Sequence, residues 1–204
     1  FDLNMNVPNK KRLSIKKIRI PLLGIHNVRN SVAATAVPLT VGISIQDIKK
    51  GLLNFKGVQR RFNKIFTYNG VDFYDDYAHH PTEIKVVLEG VKKVYHGYDK
   101  VCIFQPHRIS RLKDLKKEFS FAFKDADTVI LCPVYSAGEK IKLGFNYMNF
   151  AKEIIKNSKV KLFLVKDNND IAKFVKKNMN GKKIVIGMGA GSISNWMRKL
   201  PKLI

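Results

Sequence analysis

Cysteine is scarce in this chain, with only Cys102 and Cys132 present. No CxxC or Cys/His spacing accompanies either one. That excludes a disulfide framework and leaves no metal or redox motif, so each thiol, set in a short apolar run, reads as a reduced core residue. Long apolar runs are missing too. None approaches the ~20 residues of a membrane span, and the lysine-rich opening has no uninterrupted signal-type core. The expectation is a soluble, cytoplasmic protein without a membrane partner. There is no internal repeat and no low-complexity tract. The first residue is Phe1 rather than Met, so the chain is expected to be a segment of something longer.

Acidic residues are also few, 16 against 38 lysines and arginines, for a formal charge of +22. Such a balance invites a basic nucleic-acid-binding α/β module as an alternative, since phosphate neutralisation drives that binding. The distribution argues against it. Lysines are spread along helix-like segments such as Lys113, Lys116, Lys117 and Lys173, Lys176, Lys177, as a solvated face would have them. Arginines are rarer and concentrate in motifs, where the guanidinium suits bidentate contacts to phosphate or carboxylate. At 204 residues and 45% hydrophobic, the chain is long enough for a proper core.

Taken in order, Phe1 to Lys17 has no clear period, and Ile18 to Leu23 reads as a strand. Gly24 to Asn30 then leads into a helix whose small apolar set Val32, Ala33, Ala36 and Val37 suggests close packing on a sheet, with Pro38 expected to kink or end it. Asn27 and Asn30, three apart, share a face of the first turn. They can serve as caps, or as two amides reading the edge of a purine. Ser44 to Asp47 starts a short helix expected to stop near Gly51. From Val58 a new series begins. Gly57 to Tyr68 leads into a strand, and Asn69-Gly70 is a hairpin signal that returns the chain along Val71 to Asp75, bringing Arg61 towards Asp76.

After Pro81 the periods alternate. Helices are expected at Pro81 to Val94, Leu112 to Phe123, Tyr147 to Lys156, Ile171 to Met179 and Ser194 to Leu200. Strands are expected at Lys100 to Phe104, Thr128 to Pro133, Val160 to Val165 and Ile184 to Gly187. This pattern predicts an α/β fold, a mostly parallel sheet with helices on both faces. Its densest chemistry is Asp75-Asp76-Tyr77-Ala78-His79-His80-Pro81-Thr82-Glu83-Ile84, a strand-to-helix corner of the kind where side chains and helix amides converge on anions. A capped helix start with solvated histidines is the plain alternative. A second corner, Gln105-Pro106-His107-Arg108-Ile109-Ser110-Arg111, follows another strand and resembles a carboxylate or phosphate clamp. Gly187-Met188-Gly189-Ala190-Gly191-Ser192 has its third glycine one residue early for a dinucleotide fingerprint, and reads as a tight turn. No GxxxxGK[ST] loop occurs.

Four stretches in this order, Gly24 to Asn30, Gln59-Arg60-Arg61-Phe62, Asp75 to Ile84 and Phe104 to Arg108, resemble the Mur ligases. The likeness runs from about Gly24 to Trp196 and takes in Val134 to Glu139 and Gly189 to Ser192. It implies a protein of three domains: one for a UDP-sugar, a central P-loop ATPase, and a carboxyl-terminal Rossmann-like α/β domain. Residues 1–57 would be the tail of the central ATP-binding domain and 58–204 the ligase domain, with the missing N-terminal and central domains as partners. The implied activity joins L-alanine to UDP-N-acetylmuramate through an acyl phosphate. The muramoyl-tripeptide recycling ligase of the same family is the alternative, for which a different sequence is expected at Gln105 to Arg108.

The resemblance implies ATP and Mg2+, with the metal ligands mainly upstream. It implies that Asn27 and Asn30 meet the adenine, Arg61 the ATP phosphates and Asp76 the ribose. Tyr77, His79, His107, Arg108 and Arg111 would face the muramoyl and alanine side, with Arg61 and His79 as catalytic candidates. The isolated segment is expected to be inactive. Ala78 stands where the family has glycine, Ile109 where it has an aromatic, and Pro38 is unusual within its helix.

Overall fold

The computed structural model describes residues 1–6, 12–22, 24–139 and 145–204. By internal packing the chain divides into two units, Phe1–Val58 and Gln59–Ile204.

In the first unit, β1 (Leu3–Met5) pairs antiparallel with β2 (Leu13–Ile15), and α1 (Ile25–Thr40) and α2 (Ile45–Asn54) follow. The strand expected at Ile18 to Leu23 does not form over the described residues 18–22. Pro21 has no N–H to give a ladder, and Ile18 instead exchanges backbone bonds with Phe1, at 2.8 and 2.9 Å. Pro38 lies inside α1, which continues to Thr40. The stop is made by Gly42 at φ 84, with Gly42 N on Leu39 O and Ile43 N on Pro38 O, the paired bonds of a Schellman end. Val32 and Leu39 pack on the small cluster of Leu3, Ile15 and Ile18, whereas Ala33 and Val37 are exposed. The Ser44 side chain caps α2 by accepting from Asp47 N at 3.1 Å. The helix overruns Gly51 by three residues to Asn54, because an isolated helical glycine costs only about 1 kcal/mol.

The second unit opens with the hairpin that its turn residues dictate. Asn69 and Gly70, at φ 47 and 76, join β3 (Asn63–Tyr68) to β4 (Val71–Asp76), the two positive dihedrals a tight hairpin turn needs. There follow α3 (Pro81–Val94), β5 (Asp99–Phe104), α4 (Ile109–Asp114), α5 (Lys116–Phe121), β6 (Thr128–Leu131), α6 (Tyr147–Ser158), β7 (Lys161–Leu164), α7 (Asn168–Asn178), β8 (Lys183–Met188) and α8 (Ile193–Lys199). The strands form one six-stranded sheet in the order β3-β4-β8-β5-β6-β7, with only β3 antiparallel. The expected helix Leu112 to Phe123 is two helices that meet at Leu115, starting at Ile109.

Alternate residues of each strand face opposite layers, as a pleated strand requires. Cys102 and Phe104 of β5 pack with Ile84, Leu88, Phe119, Phe150 and Ile154, on the side of α3 to α6. Val101 and Ile103 pack with Ile171, Val175, Ile193 and Met197, on the side of α7 and α8. Both cysteines are free and fully buried. With helices on both faces, polar loops gather at the strands' carboxyl ends. There β8 lies between β4 and β5, and Met188 is level with both Asp76 and Phe104.

Candidate active site

Three strand ends, those of β4, β8 and β5, carry the polar motifs side by side. From β4 the chain turns through Asp76, whose carboxylate is 2% exposed. One oxygen accepts from Phe62 N at 2.8 Å and the other from Ala78 N at 2.7 Å. Burial raises the Asp76 pKa to about 6, against the pull of those two N–H bonds and of the nearby Arg61 charge. Ala78 donates to Asp76 without a positive φ, so glycine is not required there.

Pro81 fixes the first turn of α3, and Glu83 closes it by accepting from His79 N at 3.0 Å and His80 N at 3.2 Å. His80 is thereby committed to the helix start, its Nδ1 accepting from Thr82 N at 3.3 Å. His79 is oriented differently. Its Nδ1 lies 2.8 Å from the carbonyl of Tyr77, an acceptor only, so Nδ1 carries the proton and Nε2 of the neutral ring keeps a lone pair.

The β5 end adds the second corner. Arg108 N bonds Tyr135 O and Tyr135 N bonds Pro106 O, both at 2.8 Å, extending the strand pairing past β5. His107 stacks on Tyr135 with ring centroids 5.5 Å apart, and stands edge-on to His79 at 5.9 Å, which is itself 5.0 Å from Tyr77. Arg111 Nη1 lies 3.3 Å from His107 Nδ1. A guanidinium only donates, so that ring is neutral with Nδ1 accepting. Burial first, then Arg111, His79 and Arg108, holds the His107 pKa below the ordinary histidine value. Arg108 is exposed, at φ 70.

Tyr77, His79, His107 and Arg111 therefore form one chain of contacts, with the Arg61 guanidinium 5.9 Å from the Tyr77 ring at its edge. Asn27 and Asn30 share a face of α1 in the first unit, Asn27 half-buried and Asn30 exposed. Among the described residues no three His, Cys, Asp or Glu side chains gather as a metal site.

Sequence reasoning assigned no role to three groups that build this end of the sheet. Gln105 reaches across to the glycine turn, donating to Ser192 Oγ and accepting from Ile193 N, both at 2.9 Å. Glu139 accepts from Ile109 N and Ser110 N, at 2.7 and 3.2 Å, and sets the start of α4. Asp75, 1% exposed, accepts from Ser194 Oγ at 2.5 Å and lies 4.0 Å from Arg60 Nε. A charged residue at a strand end was the only signal for the last. The tight turn itself is as expected: at Gly189, φ 148, an added Cβ would come within 2.7 Å of Gln105 O.

Histidines and arginines thus gather at the carboxyl ends of a mostly parallel sheet with helices on both faces, and residues 60–191 match the Mur ligase, glutamate ligase domain family. The chain belongs to the Mur ligase family. It is 68% identical over its whole length to UDP-N-acetylmuramate L-alanine ligase of Pelagibacter ubique, covering 44% of that protein. The same-named enzyme of Bartonella tribocorum is 39% identical over 94% of the chain, which covers 40% of it. The chain thus spans less than half the length of these curated relatives. Among solved structures, UDP-N-acetylmuramate-alanine ligase of Thermotoga maritima superposes with a TM-score of 0.72 at 26% identity, over 95% of this chain and 40% of that one. A murein peptide ligase from Psychrobacter arcticus shares the fold, with a TM-score of 0.73 at 20% identity, over 99% of this chain and 41% of that one.

Proposed function

We propose that the whole protein joins L-alanine to UDP-N-acetylmuramate at the expense of ATP. In this reading residues 1–57 are the tail of a central ATP-binding domain and residues 58–204 the ligase domain. The observation that carries it is the contact chain Arg61, Tyr77, His79, His107 and Arg111 at the ends of β4 and β5, in a chain 68% identical to a ligase of that name.

ATP phosphorylates the muramoyl carboxylate, the alanine amine attacks the acyl phosphate, and the tetrahedral intermediate collapses to amide and phosphate. Each stage concentrates negative charge, which fixed cations offset best where water is excluded. Arg61 is assigned to the ATP phosphates, and Asn27 and Asn30 to the adenine edge. Asp76 is assigned to the ribose; each of its oxygens keeps a second lone pair beside the backbone N–H it already accepts. Tyr77, His107, Arg108 and Arg111 are assigned to the muramoyl and alanine carboxylates. His79, with its proton held on the Tyr77 carbonyl, offers Nε2 to the proton that the attacking amine releases. Mg2+ and the phosphate-cradling loop are assigned to the part of the protein outside this chain. Holding amine and acyl phosphate together supplies roughly 7–11 kcal/mol of the barrier.

The test is ADP formation by the full-length protein. Release of ADP only when UDP-N-acetylmuramate and L-alanine are both present is the expected result. Release with neither, or with a muramoyl tripeptide substrate set in place of L-alanine, overturns the assignment. The chain of 204 residues alone is expected to give no turnover.

A further inference from the structure

We propose that Arg60 and Asp75 are positioning residues for Arg61: the first half-buried and the second buried, both facing protein groups, they hold its backbone in the geometry from which the guanidinium reaches the site. The inference deepens the function proposed above and rests on it, since it takes Arg61 to meet the nucleotide phosphates.

The backbone gives the first reason. Arg61 is flanked by Arg60 at φ 60 and Phe62 at φ 51, two side-chain-bearing residues in the left-handed region. Such a pair persists only where its surroundings over-determine it, and strain of this kind concentrates at functional sites. The ties are on both sides. Arg60 O accepts from Tyr77 N at 2.7 Å, Phe62 N donates to Asp76 at 2.8 Å, and Arg61 N donates to Asn63 Oδ1 at 3.0 Å.

The side chains give the second. The two neighbouring arginines divide: Arg61 is exposed, while Arg60 turns inward. Its Nη2 donates to Gly189 O at 2.5 Å, its Cζ lies 4.7 Å from the Tyr77 ring, and its Nε faces Asp75 Oδ2 at 4.0 Å. Gly189 N in turn bonds Asp76 O at 3.3 Å. One guanidinium thus ties the segment before β3 to the ends of both β4 and β8. Asp75 is fixed from α8, by Ser194 at 2.5 Å and Arg198 at 3.7 Å. Its Oδ1, like Arg60 Nε, has no hydrogen-bond partner among the described residues. Asp75 Oδ2 thus stands between Ser194 and Arg198 of α8 on one side and the inward-turned Arg60 on the other.

A residue that acts through Arg61 must lose its effect when Arg61 is gone. In the full-length enzyme, Arg60→Ala is expected to lower kcat/KM for ATP by about 10- to 100-fold. On an Arg61→Ala background it is expected to cost less than about 2-fold. Asp75→Asn follows the same pattern with a smaller loss, and KM for L-alanine moves less than KM for ATP in each. Equal losses on both backgrounds overturn the inference and leave Arg60 a general stabilising residue. Should Arg60→Ala not fold, Arg60→Lys goes through the same cycle, because it keeps the charge without the planar fork. A full-length wild type that forms no ADP with its proposed substrates removes the functional reading instead. The cycle is then read as the ATP Kd by calorimetry, where additive losses or no ATP binding overturn the positioning pair as well.

Discussion

Asp76 is a carboxylate folded into a place that disfavours its charge. Burial raises its pKa to about 6, while bonds from Ala78 and Phe62 and the charge of Arg61 pull it back. Its folded value lies above the unfolded value near 3.9, so ionisation costs more in the folded state. The stability Asp76 contributes is full below about pH 4 and falls away as pH rises through about 6, a loss of about 3 kcal/mol for a shift of roughly two units. Asp76→Asn keeps the shape without the titration and costs a pH-independent amount, because one backbone N–H now meets an amide donor. In urea unfolding at pH 4 and pH 7, the margin of wild type over the variant is expected to narrow by about 2 kcal/mol at the higher pH, the rest of the loss having already occurred at pH 4. An unchanged margin would mean that Asp76 does not titrate in this window.

At the scale of elements, local chemistry and distant ties separate cleanly. The turn at Asn69-Gly70 and the start of α3 at Pro81, closed by Glu83, are set by residues beside them, and both were legible in the sequence. So was the alternation of β4 to β8 with their helices, because its periods survive a lysine-rich surface. What could not be read depends on partners far along the chain. The start of α4 at Ile109 is set by Glu139, 30 residues away; the Arg60 bond to Gly189 spans 129 and that of Ser194 to Asp75 spans 119. Likewise nothing near Ile18 announces that Phe1 will pair with it. Glycines test the same distinction. At Gly189 a Cβ would press on the Gln105 backbone in a dihedral other residues avoid, so Gly189→Ala is expected to destabilise the protein by about 3 kcal/mol. Gly90, in α3, has nothing within 4 Å of the same position, and Gly90→Ala is expected to stabilise by about 0.5–1 kcal/mol. Thermal unfolding of the two variants should move the midpoint in opposite directions.

For the whole molecule, the two units differ in what they bury. Gln59–Ile204 has apolar clusters on both faces of a six-stranded sheet, including Phe73, Phe104, Phe119, Phe123 and Phe150, all fully buried. In Phe1–Val58 the buried cluster among the described residues is Leu3, Ile15 and Ile18. Ile25, Val37, Val41, Leu53 and Val58 are each more than half exposed, Val41 at 72%. A unit below about 60 residues is marginal even with a good core, and the four buried aliphatic side chains among its described residues, Leu3, Ile15, Ile18 and Ile48, at about 1.5–3 kcal/mol each cannot offset the entropy of ordering two helices and a hairpin. A fragment of residues 59–204 is therefore expected to show α/β circular dichroism and one cooperative urea transition, whereas a fragment of residues 1–58 is expected to show neither. Adding a central-domain fragment from upstream should restore cooperative unfolding to the first unit, if its exposed aliphatic side chains are a surface that the rest of the protein covers. A sharp transition in 1–58 alone would show that this unit draws its stability from itself, and would remove the reason for treating it as the end of another domain.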